Sequence, residues 1–179
     1  AVVATALSTS ILTIANPVLL ASSSVSYRFV LNAPLKVNDL VALVLPTFGM
    51  SSLSTPVTDG CGTTTFTATV ASSGQAGAAV TLKAATAEMA SGVECLVSIA
   101  TGIVVSATEQ TANLNTRTVS ITLAQADDIS TAIATSTAVG SPTPTVTKSK
   151  LVLAIPLTSA PTSLSFLFAI NVILETSDS

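Results

Sequence analysis

Two cysteines are the residues of this 179-residue chain whose type points most directly to covalent chemistry. Cys61 sits in DGCGT and Cys95 in VECLVS, with no CxxC spacing and no histidine to complete a metal site. The pair reads as a single disulfide formed in an oxidising compartment, the alternative being two buried free thiols. Nucleophilic catalysis has little to draw on. Without His, a Ser or Cys nucleophile would need Lys or a carboxylate as its base, and there is no Gly-x-Ser-x-Gly elbow or suitably placed Ser-x-x-Lys. The adjacent acids Asp127 and Asp128 would point to opposite faces of a strand, so they do not converge on a glycosidic bond. A solvated turn suits them, with weak calcium binding beside Asn115 as the alternative. The expectation is a chain with no catalytic residue, no cofactor and no metal ligand, and therefore not an enzyme.

Composition narrows the setting. Charged residues make up 8% of the chain and aromatics 3%, against 49% hydrophobic. The usual charged share is about 25%. The six basic residues, Arg28, Lys36, Lys83, Arg117, Lys148 and Lys150, are scattered and the net charge is -3, which leaves no stripe for phosphates and argues against a nucleic-acid partner. A surface so poor in charge associates unless its faces are buried in an assembly or its hydroxyls carry sugar. Either case predicts an extracellular or cell-surface protein.

The elements that must carry these residues are strands. Ser and Thr, roughly 50 together, combine with Val and Ile in the pattern favoured by a pleated, half-buried surface. Strand signals recur near 6–14 and over 26–31, 63–70, 79–84, 93–99 and 117–123, separated by turn signals, and 39–45, apolar on both faces and ending at Pro46, reads as a central strand. AATAEMASG is the one stretch suited to a short helical turn. About seven strands within ~125 residues is the count of an immunoglobulin-like β-sandwich. The predicted domain is 1–128. Residues 129–150 read as a Ser/Thr/Pro linker with candidate O-glycosylation at Ser141, Thr143 and Thr145, there being no usable Asn-linked sequon.

The C-terminal segment, 151–179, has a counterpart earlier in the chain. LVLAIPLTSAPTSLSFLFAINVIL, Leu151 to Leu174, aligns without a gap on Leu12 to Leu35, LTIANPVLLASSSVSYRFVLNAPL. Identities fall at Leu12/Leu151, Ala15/Ala154, Pro17/Pro156, Ala21/Ala160, Ser24/Ser163, Ser26/Ser165, Phe29/Phe168, Asn32/Asn171 and Leu35/Leu174. The segment thus reads as a half-repeat of 12–40, two strands of a second copy that lack their partners. Leu151, Leu153, Leu164, Phe166, Phe168, Ile170 and Val172 are the candidate assembly residues, since an unpaired apolar strand is an aggregation hazard until an edge accepts it. Head-to-tail donation to another copy does not close on itself and builds a filament. Two rivals compete: a strand folded back on its own domain, and a membrane span or lipid-anchor signal. Pro156, Pro161 and Asn171 weigh against the span. Lys148 and Lys150 read as charged gatekeepers of the apolar strand, or as partners for acids on a neighbour.

VSYRFVLNAPLKVNDLVALVLPTFG, GCGTTTFTATV, VECLVSIATGI and TANLNTRTVSITL, in that order, resemble the tandem Ig-like β-sandwich repeats of large secreted and surface proteins of microbes and algae. The likeness covers roughly residues 5 to 125. With the trailing half-repeat, the chain also resembles protomers of extracellular pilus-like fibrils, some heavily glycosylated, in which a strand of one subunit completes the next. That resemblance implies a structural role, other copies of the same chain as partners, O-glycans and no catalytic residue. The long apolar N-terminal helix of type IV and archaeal pilins has no counterpart in AVVATALSTS. The competing implication is an adhesive or carbohydrate-binding module within a longer tandem array.

Overall fold

The computed structural model describes residues 4–141, 146–153 and 164–170, and the chain divides into two units, Ala1–Gly140 and Ser141–Ser179. Every described element is a strand or a turn. In chain order the first unit runs β1 (Leu7–Ile14), β2 (Ser22–Leu31), β3 (Leu40–Val44), β4 (Gly49–Met50), β5 (Val57–Asp59), β6 (Phe66–Ser72), β7 (Ala79–Ala84), β8 (Glu94–Val104), β9 (Thr118–Thr122), β10 (Ile129–Ala132) and β11 (Thr135–Ser136).

These strands form two sheets, one ordered β11-β1-β2-β8-β4 with β5 also on β8, the other β10-β9-β3-β7-β6. Pairing is antiparallel except for β11, which runs parallel to β1. Alternation along β2 puts Val25, Tyr27, Phe29 and Leu31 inside, and the same rule on β3, β7 and β9 buries Val41, Leu43, Val80, Leu82, Val119 and Ile121. All of these join one hydrophobic cluster, so the unit is a two-sheet β-sandwich with its core between the layers.

Three expectations change. The strand count described for this unit is eleven, because the segments of two to four residues at the sheet margins are too short to carry a periodic signal. AATAEMASG forms no helical turn; Met89 instead exchanges main-chain bonds with Leu35, at 2.8 and 2.9 Å, inserting a buried side chain at the sandwich end. The predicted linker does not begin at 129. Residues 129–140 belong to the sandwich through β10 and β11, with Ile133 and Val139 buried as anchors among the small hydroxyl residues.

In the second unit, β12 (Val146–Leu153) and β13 (Leu164–Ile170) form an antiparallel two-stranded sheet. A helical membrane span across 151–174 would need one continuous helix; among the described residues no helix is long and apolar enough to cross a membrane. Ser141 is exposed, whereas Thr143, Thr145 and Val172 lie outside the described residues.

Candidate functional site

The hairpin β12–β13 repeats β1–β2 register for register. In the first unit the pairs are Leu7 with Leu31, Thr9 with Val30, Ser10 with Phe29, Ile11 with Arg28, Leu12 with Tyr27, Thr13 with Ser26 and Ile14 with Val25. In the second they are Val146 with Ile170, Lys148 with Ala169, Ser149 with Phe168, Lys150 with Leu167, Leu151 with Phe166, Val152 with Ser165 and Leu153 with Leu164. Adding 139 to each residue of the first set gives the second, and the irregularity between positions 7 and 9 returns between 146 and 148. Register is what a strand pair is least free to copy by chance, because a one-residue slip turns every side chain to the other face.

Several of the residues shared by the two segments have defined contacts in the first. Leu12, Phe29 and Leu35 are at most 1% exposed, and the Phe29 ring stacks on Tyr27 at 5.5 Å. Ser26 shares a 2.8 Å hydroxyl bond with Ser98 on β8. Asn32 ties down the chain before β1, its Oδ1 accepting from Ala6 N and its Nδ2 donating to Ala4 O. Ser10, bonded to the Tyr27 hydroxyl at 2.9 Å, aligns with Ser149. One change is reciprocal: the facing pair Ile11 and Arg28 becomes Lys150 and Leu167, an aliphatic and a cation on exchanged strands. Arg28 forms an exposed 3.3 Å bridge to Glu94. Leu167 is 59% exposed.

The place β1–β2 occupies is a slot with two walls. One is β8, which pairs with β2 from Ser22/Val104 to Val30/Glu94. It is fixed to the loop before β6 by the Cys61–Cys95 disulfide, both cysteines buried. Gly60 makes that closure possible: its φ is +74° and an added Cβ would sit 2.7 Å from Glu94 O. The DGCG spelling is thus a backbone requirement as well as a cysteine.

The other wall is the segment 133–140, a strap along the outer edge of β1. Besides the parallel ladder Ile11/Thr135 and Leu12/Ser136, Thr137 N donates to Leu12 O, Ile14 N to Thr137 Oγ1, Gly140 N to Pro17 O and Leu19 N to Gly140 O. Behind the strap lies Arg117, fully buried and, among the described residues, held by neutral acceptors rather than a carboxylate. Its guanidinium donates twice to Gln110 Oε1, at 2.9 and 3.1 Å, to Ser136 Oγ at 3.0 Å and to Thr137 O, and stands 6.0 Å from the centre of the Phe48 ring. Burial pushes it below its ordinary pKa. Neither Arg117 nor the strap was legible as a site in the sequence; the one available sign was a basic residue abutting an alternating strand.

Asp127 and Asp128 are exposed between β9 and β10, where Asp128 Oδ1 accepts from Leu123 N, and Asn115 is exposed on another loop. Among the described residues no group of three His, Cys, Asp or Glu side chains gathers to hold a metal. A surface cleft of about 460 Å³ is lined by Asn16, Ser22, Ser23, Ser24, Thr101 and neighbouring small residues, none aromatic or charged. Searched against family models and curated proteins, the chain matches none.

Proposed function

We propose that this protein is a structural subunit of an extracellular filament, in which the hairpin β12–β13 of one copy supplies the opening strands of the next β-sandwich. The observation that carries the reading is the seven-pair register shared with β1–β2, including its irregularity. A two-stranded hairpin is marginal by itself in water. β1–β2 gain their stability from β8, the strap and the facing sheet, and a copy of them calls for equivalent neighbours. Other copies of the chain are the partners with a slot of matching register. The disulfide fits an oxidising compartment, and exposed Ser141, with Thr143 and Thr145 after it, is proposed to carry O-glycans.

A second reading rests on a specific observation: the slot of the first unit already holds β1–β2. In that case the hairpin opens a second sandwich of a tandem surface array, with adhesion or carbohydrate binding as its role. Size-exclusion chromatography with light scattering, followed by negative-stain microscopy of the full chain, separates the two. Polymers that disappear in Phe166→Asp/Phe168→Asp, with the sandwich still folded, are the expected result, because a charge inserted between sheets costs several kcal/mol. A monodisperse monomer at all concentrations would refute the filament.

A further inference from the structure

If hairpins are exchanged between copies, something must decide which hairpin sits in the slot. The bonds from the strap to β1 and the turn after it go to the main-chain groups of Leu12, Ile14, Pro17 and Leu19 and hence read no side chain. Leu12 and Pro17 recur as Leu151 and Pro156 in the C-terminal repeat. The other side of the strap is held by side chains of this sandwich together with main-chain bonds. Arg117 grips Ser136 and Thr137, and Asn113 closes on Ser136 through Asn113 N to Ser136 O and Ser136 N to Asn113 Oδ1. Gln110 exchanges main-chain bonds with Val139 at 2.8 and 2.9 Å. A wall that is anchored behind and indifferent in front can close over either strand.

We propose that the strap 133–140, pinned by Arg117, Asn113 and Gln110, is the movable wall of an acceptor site that takes β12–β13 of a second copy in place of β1–β2. This rests on the filament reading above. β12 would then meet the strap with Lys150 and Leu151 at the positions of Ile11 and Leu12, and β13 would meet β8 with Leu167 beside Leu96 and Ser165 beside Ser98. The reciprocal change of Ile11/Arg28 to Lys150/Leu167 suits that placement. It sets an aliphatic residue against Leu96 and moves the cation to the strap side of the hairpin. Glu94 loses Arg28 in the exchange, but both groups of that bridge are about half exposed and its loss is minor.

The test ties the wall shut. In full-length Ile11→Cys/Thr135→Cys, a disulfide between the register partners locks the strap onto the chain's own β1. Peptide mapping verifies the new bond and the native Cys61–Cys95 bond. Assembly is followed by light scattering beside the wild type and the two single variants, all under the same oxidising conditions. The locked chain is expected to assemble at least tenfold more slowly than the single variants. Assembly at their rate would overturn the proposal and the placement of β12–β13 in the β1–β2 slot, leaving a filament joined by another contact, whereas a wild type that never assembles would overturn the filament as well. Ser136→Ala, which removes one Arg117 bond and the Ser136 Oγ contact to Asn113 N, gives an independent check that needs no engineered bond. Assembly should accelerate at least threefold, and an unchanged or slower rate counts against the movable wall.

Discussion

Removing the Cys61–Cys95 bond as Cys61→Ala/Cys95→Ala should weaken the sandwich by a predictable amount. The bond spans 34 residues of sequence. In the chain-entropy treatment, a loop of about that length restricts the unfolded chain by roughly 12.6 cal/mol/K, or about 3.8 kcal/mol at 25 °C. The enclosed segment carries β6 and β7, and the bond joins it to β8 of the other sheet, so strands of both sheets are restrained in the unfolded chain. Both cysteines are buried, Cys95 opposite Phe29, so alanine leaves a small void and adds to the loss. With a urea m-value of about 2 kcal/mol/M, the midpoint should fall by roughly 2 M. The assay has a convenient probe: Tyr27 is the chain's single tyrosine, there is no tryptophan, and its ring lies in the sandwich core. Urea titration followed by tyrosine fluorescence therefore reports the first unit alone. A loss below about 1 kcal/mol would refute the reasoning, since it would mean that the unfolded chain is not appreciably restricted by the bond.

The same tyrosine predicts alkaline sensitivity. Burial, opposed in part by the bond to Ser10, pushes the Tyr27 phenol up to about 12 from 10. The folded state therefore holds its proton at pH values where the unfolded chain has released it. That contribution is complete below about pH 10 and is lost as the pH rises through about 12, amounting to roughly 1.4 kcal/mol at about pH 11. Tyr27→Phe, the residue found at the aligned position 166, should flatten the stability profile between about pH 10 and 12 in urea titrations; an unchanged slope would place the sensitivity elsewhere. Arg117→Met should destabilise the sandwich by about 3 kcal/mol, because Gln110 Oε1, Ser136 Oγ and Thr137 O lose their donor together. Hydrogen exchange should then rise first at Ile14 and Gly140, whose amides hold the strap seam, and uniform acceleration would contradict the strap's dependence on Arg117.

Strands with clean alternation were legible because burial on one face leaves a period of two. Thr118–Thr122 and Ala79–Ala84 both show it, with Val119, Ile121, Val80 and Leu82 inside. The likeness of 151–174 to 12–35 was legible too, since the residues the two stretches share include core and tethering positions of the first: Leu12, Phe29 and Asn32. The short marginal strands β4, β5, β10 and β11 were not. β11 is two residues long and is held in place by a parallel ladder and by a buried arginine 19 residues before Ser136, neither of which leaves a local pattern. Arg117 itself read as one more scattered cation, because nothing in RTVSITL reveals that neutral acceptors from Gln110, Ser136 and Thr137 would enclose it.

The central claim is that β12–β13 takes the β1–β2 position in another copy. The hydroxyls of Ser26 and Ser98 face each other at 2.8 Å, and Ser165 is the register equivalent of Ser26. In full-length Ser98→Cys/Ser165→Cys, oxidation should produce a ladder of covalent dimers, trimers and longer species, with disulfides joining position 98 of one chain to position 165 of another. Ser26→Cys/Ser98→Cys, by contrast, should close within single chains that still hold their own β1–β2, and should keep them as monomers. Only monomers, or bonds between positions 98 and 165 confined to one chain, would contradict the exchange.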